Sequence, residues 1–237
     1  MENIKRYAFV FFLFYAILSI QQIYANEVPE DRTISIFAPF YFELGDTGES
    51  TLKALIYFYH NYKIVSEYIE YIPPTPSPVE TSLTGLLSQL EADTVSGILM
   101  INSHGDTGGW LAVEAYEYSE QGRISLQNQI NFYITNTGIP SREIDIGEEK
   151  DKYYALLISA NYIKNHTSRM CNKSIVFGSF CYSLDFADAF IGGGKVYNYF
   201  GYPCETNCVI SKHHFEKMIN RMGGALDEKR NYTVSEA

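Results

Sequence analysis

The sequence predicts one α/β domain built on a mostly parallel β-sheet with helices on both faces. Two observations support this class. Strand-like and helix-like segments alternate along most of the chain, as they do in parallel sheets with crossover helices. Two of the strands, residues 95–102 and 175–180, are also apolar or small along nearly their whole length, which is typical of buried strands.

The first half of the chain contains three predicted strands and two predicted helices. In chain order they are strand 33–38, helix 51–62, strand 63–72, helix 81–91 and strand 95–102. The strands are rich in β-branched and aromatic residues, and the helices carry apolar residues on one face, with Ser50 as a candidate N-cap. Residues 41–49 contain Gly45 and Gly48 and are predicted as a turn or loop, and proline-rich residues 73–78 as a stiff, extended loop.

The second half begins with an alternating segment, which predicts a small antiparallel ribbon directly after the third strand. The predicted elements are ribbon 110–118, a short helix 126–134 inside an otherwise irregular stretch 120–149, helix 150–164, strand 175–180, helix 184–191, strand 195–201 and helix 209–221. The three glycines 192–194 lack the Lys and Ser/Thr of a phosphate-binding loop and are predicted as a turn.

The first 25 residues have the pattern of a signal peptide. Lys5 and Arg6 precede an apolar run over residues 7–20, and Ala25 offers a plausible cleavage position. The run is short for a bilayer span, although an uncleaved anchor is the alternative. No second long apolar run follows, so we expect a secreted, periplasmic or cell-surface domain over residues 33–224 with no membrane contact after cleavage. Residues 225–237 resemble the start of a further element, which indicates an incomplete chain.

The charge and the cysteine spacing argue against some classes of partner and cofactor. The chain has 28 acidic against 18 basic residues, which argues against a nucleic-acid partner. If the compartment is oxidising, Cys204 and Cys208 are the favoured disulfide pair, although all four cysteines could be free. The interval from these cysteines to His213 and His214 is too short for a zinc finger, so we expect no metal and no cofactor.

His104 and Cys181 occupy equivalent positions, because each follows a buried strand and precedes a loop or helix. Carboxyl ends of parallel strands lie at one edge of a sheet, where ligands usually bind. A histidine beside a thiol can accept its proton and make it a nucleophile, and helical N–H groups nearby favour the thiolate. The backbone N–H groups of Gly105 and Cys181 are candidate oxyanion donors.

The segments Ser103-His104-Gly105 and Phe180-Cys181-Tyr182-Ser183, each after a strand, resemble the caspase-like (caspase–haemoglobinase) cysteine peptidases. The resemblance covers element order from Ile34 to about Gly224 and is nearest to gingipain, CHAT and legumain types. It implies a caspase–haemoglobinase-like fold and a Cys181–His104 dyad that hydrolyses bonds in peptide or protein substrates.

Two positions depart from the family pattern. Phe180 stands where the family usually has alanine, although the core can still accommodate it, and Ser179 stands where members that cleave after basic residues carry an acid. The candidate substrate pocket comprises Ser179, Asp106 and Trp110. Because residue 179 is not acidic, a preference for basic substrate side chains cannot be carried over from the family. The alternatives are a catalytically inactive caspase-like binding module and a transpeptidase that uses the same dyad.

Overall fold

The structure is a computed structural model that describes residues 33–45, 63–69, 83–91, 97–167, 174–193 and 196–222. Several sequence predictions lie outside these residues, namely the signal peptide 1–25, helix 51–62, the proline-rich loop 73–78 and the C-terminal segment 225–237. Cys171 and the side chain of Cys208 also lie outside them.

A five-stranded parallel sheet forms the centre of the described chain. Its strands are β1 (Thr33–Ala38), β2 (Lys63–Ile69), β3 (Ile98–Asn102), β8 (Ser174–Ser179) and β9 (Val196–Phe200), arranged in the order β2-β1-β3-β8-β9. Every neighbouring pair is parallel. The predicted α/β class is confirmed, and each of these strands lies within or within one residue of a predicted one.

A second, antiparallel sheet has the order β4-β5-β7-β6. Its strands are β4 (Gly105–Asp106), β5 (Trp110–Glu117), β6 (Ile144–Glu149) and β7 (Tyr153–Ser159). The predicted ribbon is therefore part of a larger sheet. The predicted helix over residues 150–164 is wrong except at its C-terminal end, because only residues 160–164 are helical. Residues 153–159 of that segment form β7, whose side chains are at least partly buried on both faces, so its apolar residues show no clear alternation.

The helices are mostly short. They are α1 (Tyr41–Leu44), α2 (Leu83–Glu91), α3 (Glu120–Phe132), α4 (Ala160–Lys164), α5 (Ala187–Ile191) and α6 (Cys208–Met222). A π-helical turn, Tyr133–Thr137, continues α3, and a 3-10 turn, Ser183–Phe186, precedes α5. Among the described helices, none has both the length and the apolar composition needed to cross a bilayer.

The parallel sheet is covered on both faces. On one face, Met100 and Phe177 pack with Phe215 and Met218 of α6. On the other face, Leu99 and its neighbours join a larger core that includes α2, α4, α5, α3 and apolar residues of the antiparallel sheet. Because β3 and β8 are buried at every position, the chain leaves them only at their ends, and these ends carry the candidate catalytic residues.

Candidate active site

The strands that precede His104 and Cys181 are direct neighbours and end in register. β3 pairs with β8 so that Asn102 lies beside Ser179, the last residue of each strand. The Ser103 N–H donates to the Ser179 carbonyl at 3.3 Å, which extends the pairing one step beyond the strands. The structure therefore brings His104 and Cys181, each two residues beyond this last pair, to the same edge of the sheet.

Gly105 is in direct contact with the turn that carries Cys181. A Cβ atom at this position would lie 2.3 Å from the Cys181 carbonyl oxygen and 2.6 Å from the Phe180 ring. No side chain larger than hydrogen fits at that distance, so the backbones of the two turns pack together only because residue 105 is glycine. The candidate oxyanion donors thus belong to adjoining segments.

Glu43 is an additional member of the site, and it comes from α1. Its Oε2 atom lies 3.0 Å from His104 Nε2, and its Oε1 atom accepts a hydrogen bond from Lys152 Nζ at 3.0 Å. Burial raises the pKa of Glu43, but hydrogen bonds from Tyr153, Lys152 and His104 outweigh it and lower the pKa below its usual value. The carboxylate is therefore anionic at neutral pH.

The His104 ring packs beside two aromatic side chains, Phe40 and Tyr153. It meets Phe40 edge-on with ring centroids 4.9 Å apart, and the Tyr153 ring is 6.0 Å away. Burial lowers the pKa of His104 below its usual value, and the charge and hydrogen bond of Glu43 act in the opposite direction. When Nε2 carries the proton and donates to Glu43, Nδ1 is left with a lone pair that can accept a proton.

The Cys181 sulfur, which is half-buried, contacts the backbone of Thr206. The sulfur accepts a hydrogen bond from the Thr206 N–H and donates one to the Thr206 carbonyl, both at 3.4 Å. The sequence analysis expected helical N–H groups after Cys181 to act on the thiol. Instead, Tyr182 adopts a left-handed conformation, with φ of 54°, and the donor comes from the connection between β9 and α6.

Ser183 connects this turn to the sheet and to the same connection. Its buried hydroxyl donates to the Gly178 carbonyl at 2.9 Å and accepts from the Tyr202 N–H at 2.8 Å. The Tyr199 hydroxyl donates to the Ser183 carbonyl at 2.6 Å. These three hydrogen bonds fix the segment that carries Cys181.

The predicted pocket residues do not form one group. Asp106 is exposed and lies opposite Trp110 in the β4–β5 pair, and its carboxylate accepts from the Thr107 N–H at 2.7 Å. Ser179 is buried and shares a hydrogen bond with Ser211 Oγ of α6 at 2.5 Å, so its hydroxyl faces the core. Asp106 and Trp110 thus lie near the site, whereas the buried Ser179 side chain contacts α6 beneath the sheet edge.

Phe180 occupies the core, as the sequence analysis expected. It is 2% exposed and meets Phe186 edge-on, with ring centroids 5.4 Å apart. Cys204 is exposed with a free thiol. The side chain of Cys208 lies outside the described residues, so the pairing of these two cysteines under oxidising conditions stays a prediction. Among the described residues, no three His, Cys, Asp or Glu side chains converge as a metal site.

The sequence analysis missed Glu43, Tyr153 and Thr206. A signal for Glu43 did exist: it follows β1, which neighbours β3, so it leaves the sheet at the same edge as His104. Tyr153 was assigned to a helix, and Thr206 acts through its backbone, which no side-chain pattern indicates.

Comparisons of the chain with protein-family models, with curated proteins and with solved structures gave no match. The functional argument therefore depends on the geometry of this site.

Proposed function

We propose that this chain is an exported cysteine endopeptidase of the caspase-like type, with Cys181 as nucleophile and His104 as proton carrier. The observation that carries the proposal is the register of β3 and β8, which end together at Asn102 and Ser179. A thiol and an imidazole that leave adjacent parallel strands at one edge support a nucleophile–base pair. The signal-peptide pattern of residues 1–25 supports export.

In the proposed reaction, the Cys181 thiolate attacks the scissile carbonyl carbon and forms a tetrahedral oxyanion. The Gly105 and Cys181 N–H groups donate to that oxyanion, and each such donor contributes on the order of 10²–10³ in rate. Collapse breaks the C–N bond, and His104 gives its proton to the leaving amine. Water, activated by the same ring, then hydrolyses the thioester and regenerates the thiol.

Glu43 acts as a positioning residue in this scheme. Its hydrogen bond to Nε2 holds the imidazole in one tautomer and one orientation, so that Nδ1 is the nitrogen that exchanges protons. Its negative charge also favours the imidazolium that forms when the thiol is deprotonated. Lys152 and Tyr153 fix the carboxylate in turn.

One observation favours a catalytically silent binding module as the second candidate. The Cys181 thiol donates to the Thr206 carbonyl, and that hydrogen bond stabilises the neutral thiol over the thiolate. The Thr206 N–H acts in the opposite direction, because it stabilises negative charge on sulfur. If the N–H contact dominates, the thiolate is favoured and the site suits catalysis. If the carbonyl contact dominates, the neutral thiol is favoured and the module is silent.

The test uses the full chain with fluorescein-labelled casein, because the side-chain preference is undefined. We expect hydrolysis by the wild type and by His213→Ala, an exposed histidine on α6, and its loss in Cys181→Ala and His104→Ala. Hydrolysis by Cys181→Ala at the wild-type rate would refute the proposal. If the wild type is inactive and iodoacetamide alkylates Cys181 at pH 5.5 no faster than Cys204, the silent module is correct.

The transpeptidase alternative uses the same dyad and differs only in the second step. With hydroxylamine added as acceptor, a peptidase yields mainly free carboxylate products, whereas a transpeptidase yields mainly hydroxamates. Mass spectrometry of the casein fragments distinguishes them.

A further inference from the structure

A second free thiol, Cys204, lies beside the turn that carries Cys181. The Tyr182 N–H, which belongs to the peptide group that follows Cys181, donates to the Cys204 carbonyl at 3.1 Å. Two further contacts hold the same two segments side by side: the Leu184 N–H donates to the Tyr202 carbonyl at 3.0 Å, and the Cys181 sulfur contacts the Thr206 backbone. Cys204 is therefore fixed between two points of attachment to the Cys181 turn.

This hydrogen bond limits how far apart the two cysteines can be. Standard bond lengths place the Cα atoms of Cys181 and Cys204 at most about 8 Å apart when the intervening N–H and carbonyl are bonded. Disulfides span Cα separations of about 4.4–6.8 Å. The connection that carries Cys204, residues 201–207, contains no helix or strand, so no regular element has to be broken there for the two sulfurs to meet.

The exposure of the pair also suits exchange with a small molecule. Cys204 is exposed and Cys181 is half-buried, and both thiols are free. The Tyr182 phenol lies near both cysteines. Its pKa is raised first by burial and then by Glu205, Cys181, Cys204 and Asp106, in that order. The two sulfurs thus share one surface neighbourhood that solvent and small thiols can reach.

We propose that Cys204 is the resolving thiol of Cys181, and that a low-molecular-weight disulfide converts the pair to a Cys181–Cys204 disulfide. The pairing itself requires only the geometry of the two segments. Its consequence, reversible blockage of the nucleophile, rests on the proposed peptidase function. A redox-sensitive cysteine that lies next to a resolving thiol is protected from irreversible oxidation.

The reaction proceeds by two thiol–disulfide exchanges. The Cys181 thiolate attacks one sulfur of glutathione disulfide, the S–S bond breaks, and one glutathione leaves as thiolate. The Cys204 thiolate, having lost its proton to solvent, then attacks the Cys181 sulfur of the mixed disulfide and releases the second glutathione. Two protein thiols are oxidised and one glutathione disulfide is reduced to two thiols.

Tryptic mapping without reduction provides a direct test, because the lysines are suitably placed. Trypsin releases Cys181 in peptide 174–195, and it releases Cys204 and Cys208 together in peptide 196–212. After incubation of the full chain with glutathione disulfide and alkylation of the remaining thiols, we expect peptide 174–195 to be cross-linked to peptide 196–212. Dithiothreitol should abolish the cross-link.

Two matched serine variants identify the partner. We expect the cross-link to persist in Cys208→Ser and to be lost in Cys204→Ser, where peptide 174–195 should instead retain one glutathione. The proposal is overturned if oxidised wild type contains a disulfide within peptide 196–212 while Cys181 stays alkylated. A link from Cys181 to Cys208 or to Cys171, or a stable Cys181–glutathione adduct in the wild type, would also overturn it.

The readout does not depend on hydrolysis. If the chain does not cleave casein but the cross-link forms, the redox pair stands and the peptidase proposal fails. If casein is cleaved but no cross-link forms, the peptidase proposal stands and the resolving role of Cys204 fails.

Discussion

Glu43 Oε2 and His104 Nε2 lie 3.0 Å apart although the residues are 61 positions apart in the chain. The contact joins the end of β1 to the end of β3, its neighbour in the parallel sheet. It engages the imidazole through Nε2 and leaves Nδ1 outside this contact. It also opposes the effect of burial, which lowers the pKa of His104.

We predict that Glu43→Gln lowers the pKa of His104 further, because the carboxylate charge that favours the imidazolium is removed while an acceptor oxygen remains. Lys152→Gln provides the opposite control, since the Lys152 charge lowers the pKa of His104 and its removal should raise it. NMR titration of the His104 ring resonances measures both. Equal titration curves in the two variants would show that Glu43 does not act on the ring.

His104 should also make stability depend on pH. Its folded-state pKa lies below the usual value of 6.5, so the unfolded chain binds more protons at this ring between the two values. The contribution of His104 is therefore fully present above pH 6.5 and is lost as the pH falls through the folded-state pKa. Urea unfolding at pH 7.5 and pH 5 should show a larger loss of stability for the wild type than for His104→Gln; parallel losses would contradict this.

Gly105→Ala should disturb the surroundings of the Cys181 thiol as well as the fold. The added Cβ would lie 2.3 Å from the Cys181 carbonyl oxygen, so the turn must move, at a cost of about 1–3 kcal/mol. Gly138→Ala is the matched control: its φ of 74° makes alanine unfavourable by about 1–2 kcal/mol, but nothing lies within 4 Å of the new atom. We expect both variants to be destabilised and only Gly105→Ala to change the rate at which iodoacetamide alkylates Cys181.

The elements that the sequence predicted well are those whose residues are constrained by local pattern. β3 and β8 are short, mostly apolar or small and bounded by polar or turn residues, and β1 alternates polar and apolar residues, so their positions follow from side-chain type alone. The placement of His104 and Cys181 at one edge required only that their strands be neighbours. The order of the sheet, which makes them neighbours, depends on tertiary packing.

The parts that could not be predicted depend on contacts between distant segments. β7 packs on both faces: Tyr153 and Ala155 join a small cluster with Phe40, and Leu156 and Ile158 join the main core. Apolar residues therefore occur on both faces, without the alternation that marks a half-exposed strand. Thr206 contacts Cys181 through its backbone, so its identity carries no signal. The position of Cys204 likewise follows from a backbone hydrogen bond to the Tyr182 turn.

Phe180→Ala should be strongly destabilising. The ring is 2% exposed and packs edge-on against Phe186, so truncation leaves a cavity that costs about 3–5 kcal/mol. Phe132→Ala, whose side chain is 50% exposed, should change the free energy of unfolding by less than about 1 kcal/mol. Similar values for the two variants would mean that the core has repacked around residue 180.

A buried carboxylate, Glu114 of β5, provides the last prediction. It accepts hydrogen bonds from the Leu83 N–H at 2.9 Å, the Tyr116 hydroxyl at 2.6 Å and the Tyr133 hydroxyl at 2.5 Å, and it thereby joins α2 to the antiparallel sheet and the π-helical turn. Removing it in Glu114→Ala leaves these donors without an acceptor, which should destabilise the fold by about 2–4 kcal/mol. Glu114→Gln retains an acceptor oxygen and should be affected less.

The pH dependence distinguishes the charge of Glu114 from its hydrogen bonds. Burial raises the pKa of Glu114, more than the three hydrogen bonds lower it, so the folded chain holds this proton at pH values where the unfolded chain has released it. The stabilisation from the protonated form is complete below the unfolded-state value of 4.5 and is lost as the pH rises through the folded-state pKa. Glu114→Gln cannot ionise, so its stability relative to the wild type should increase as the pH rises through that range. A constant difference between the two proteins, measured by urea unfolding across the range, would mean that the hydrogen bonds hold the carboxylate ionised throughout.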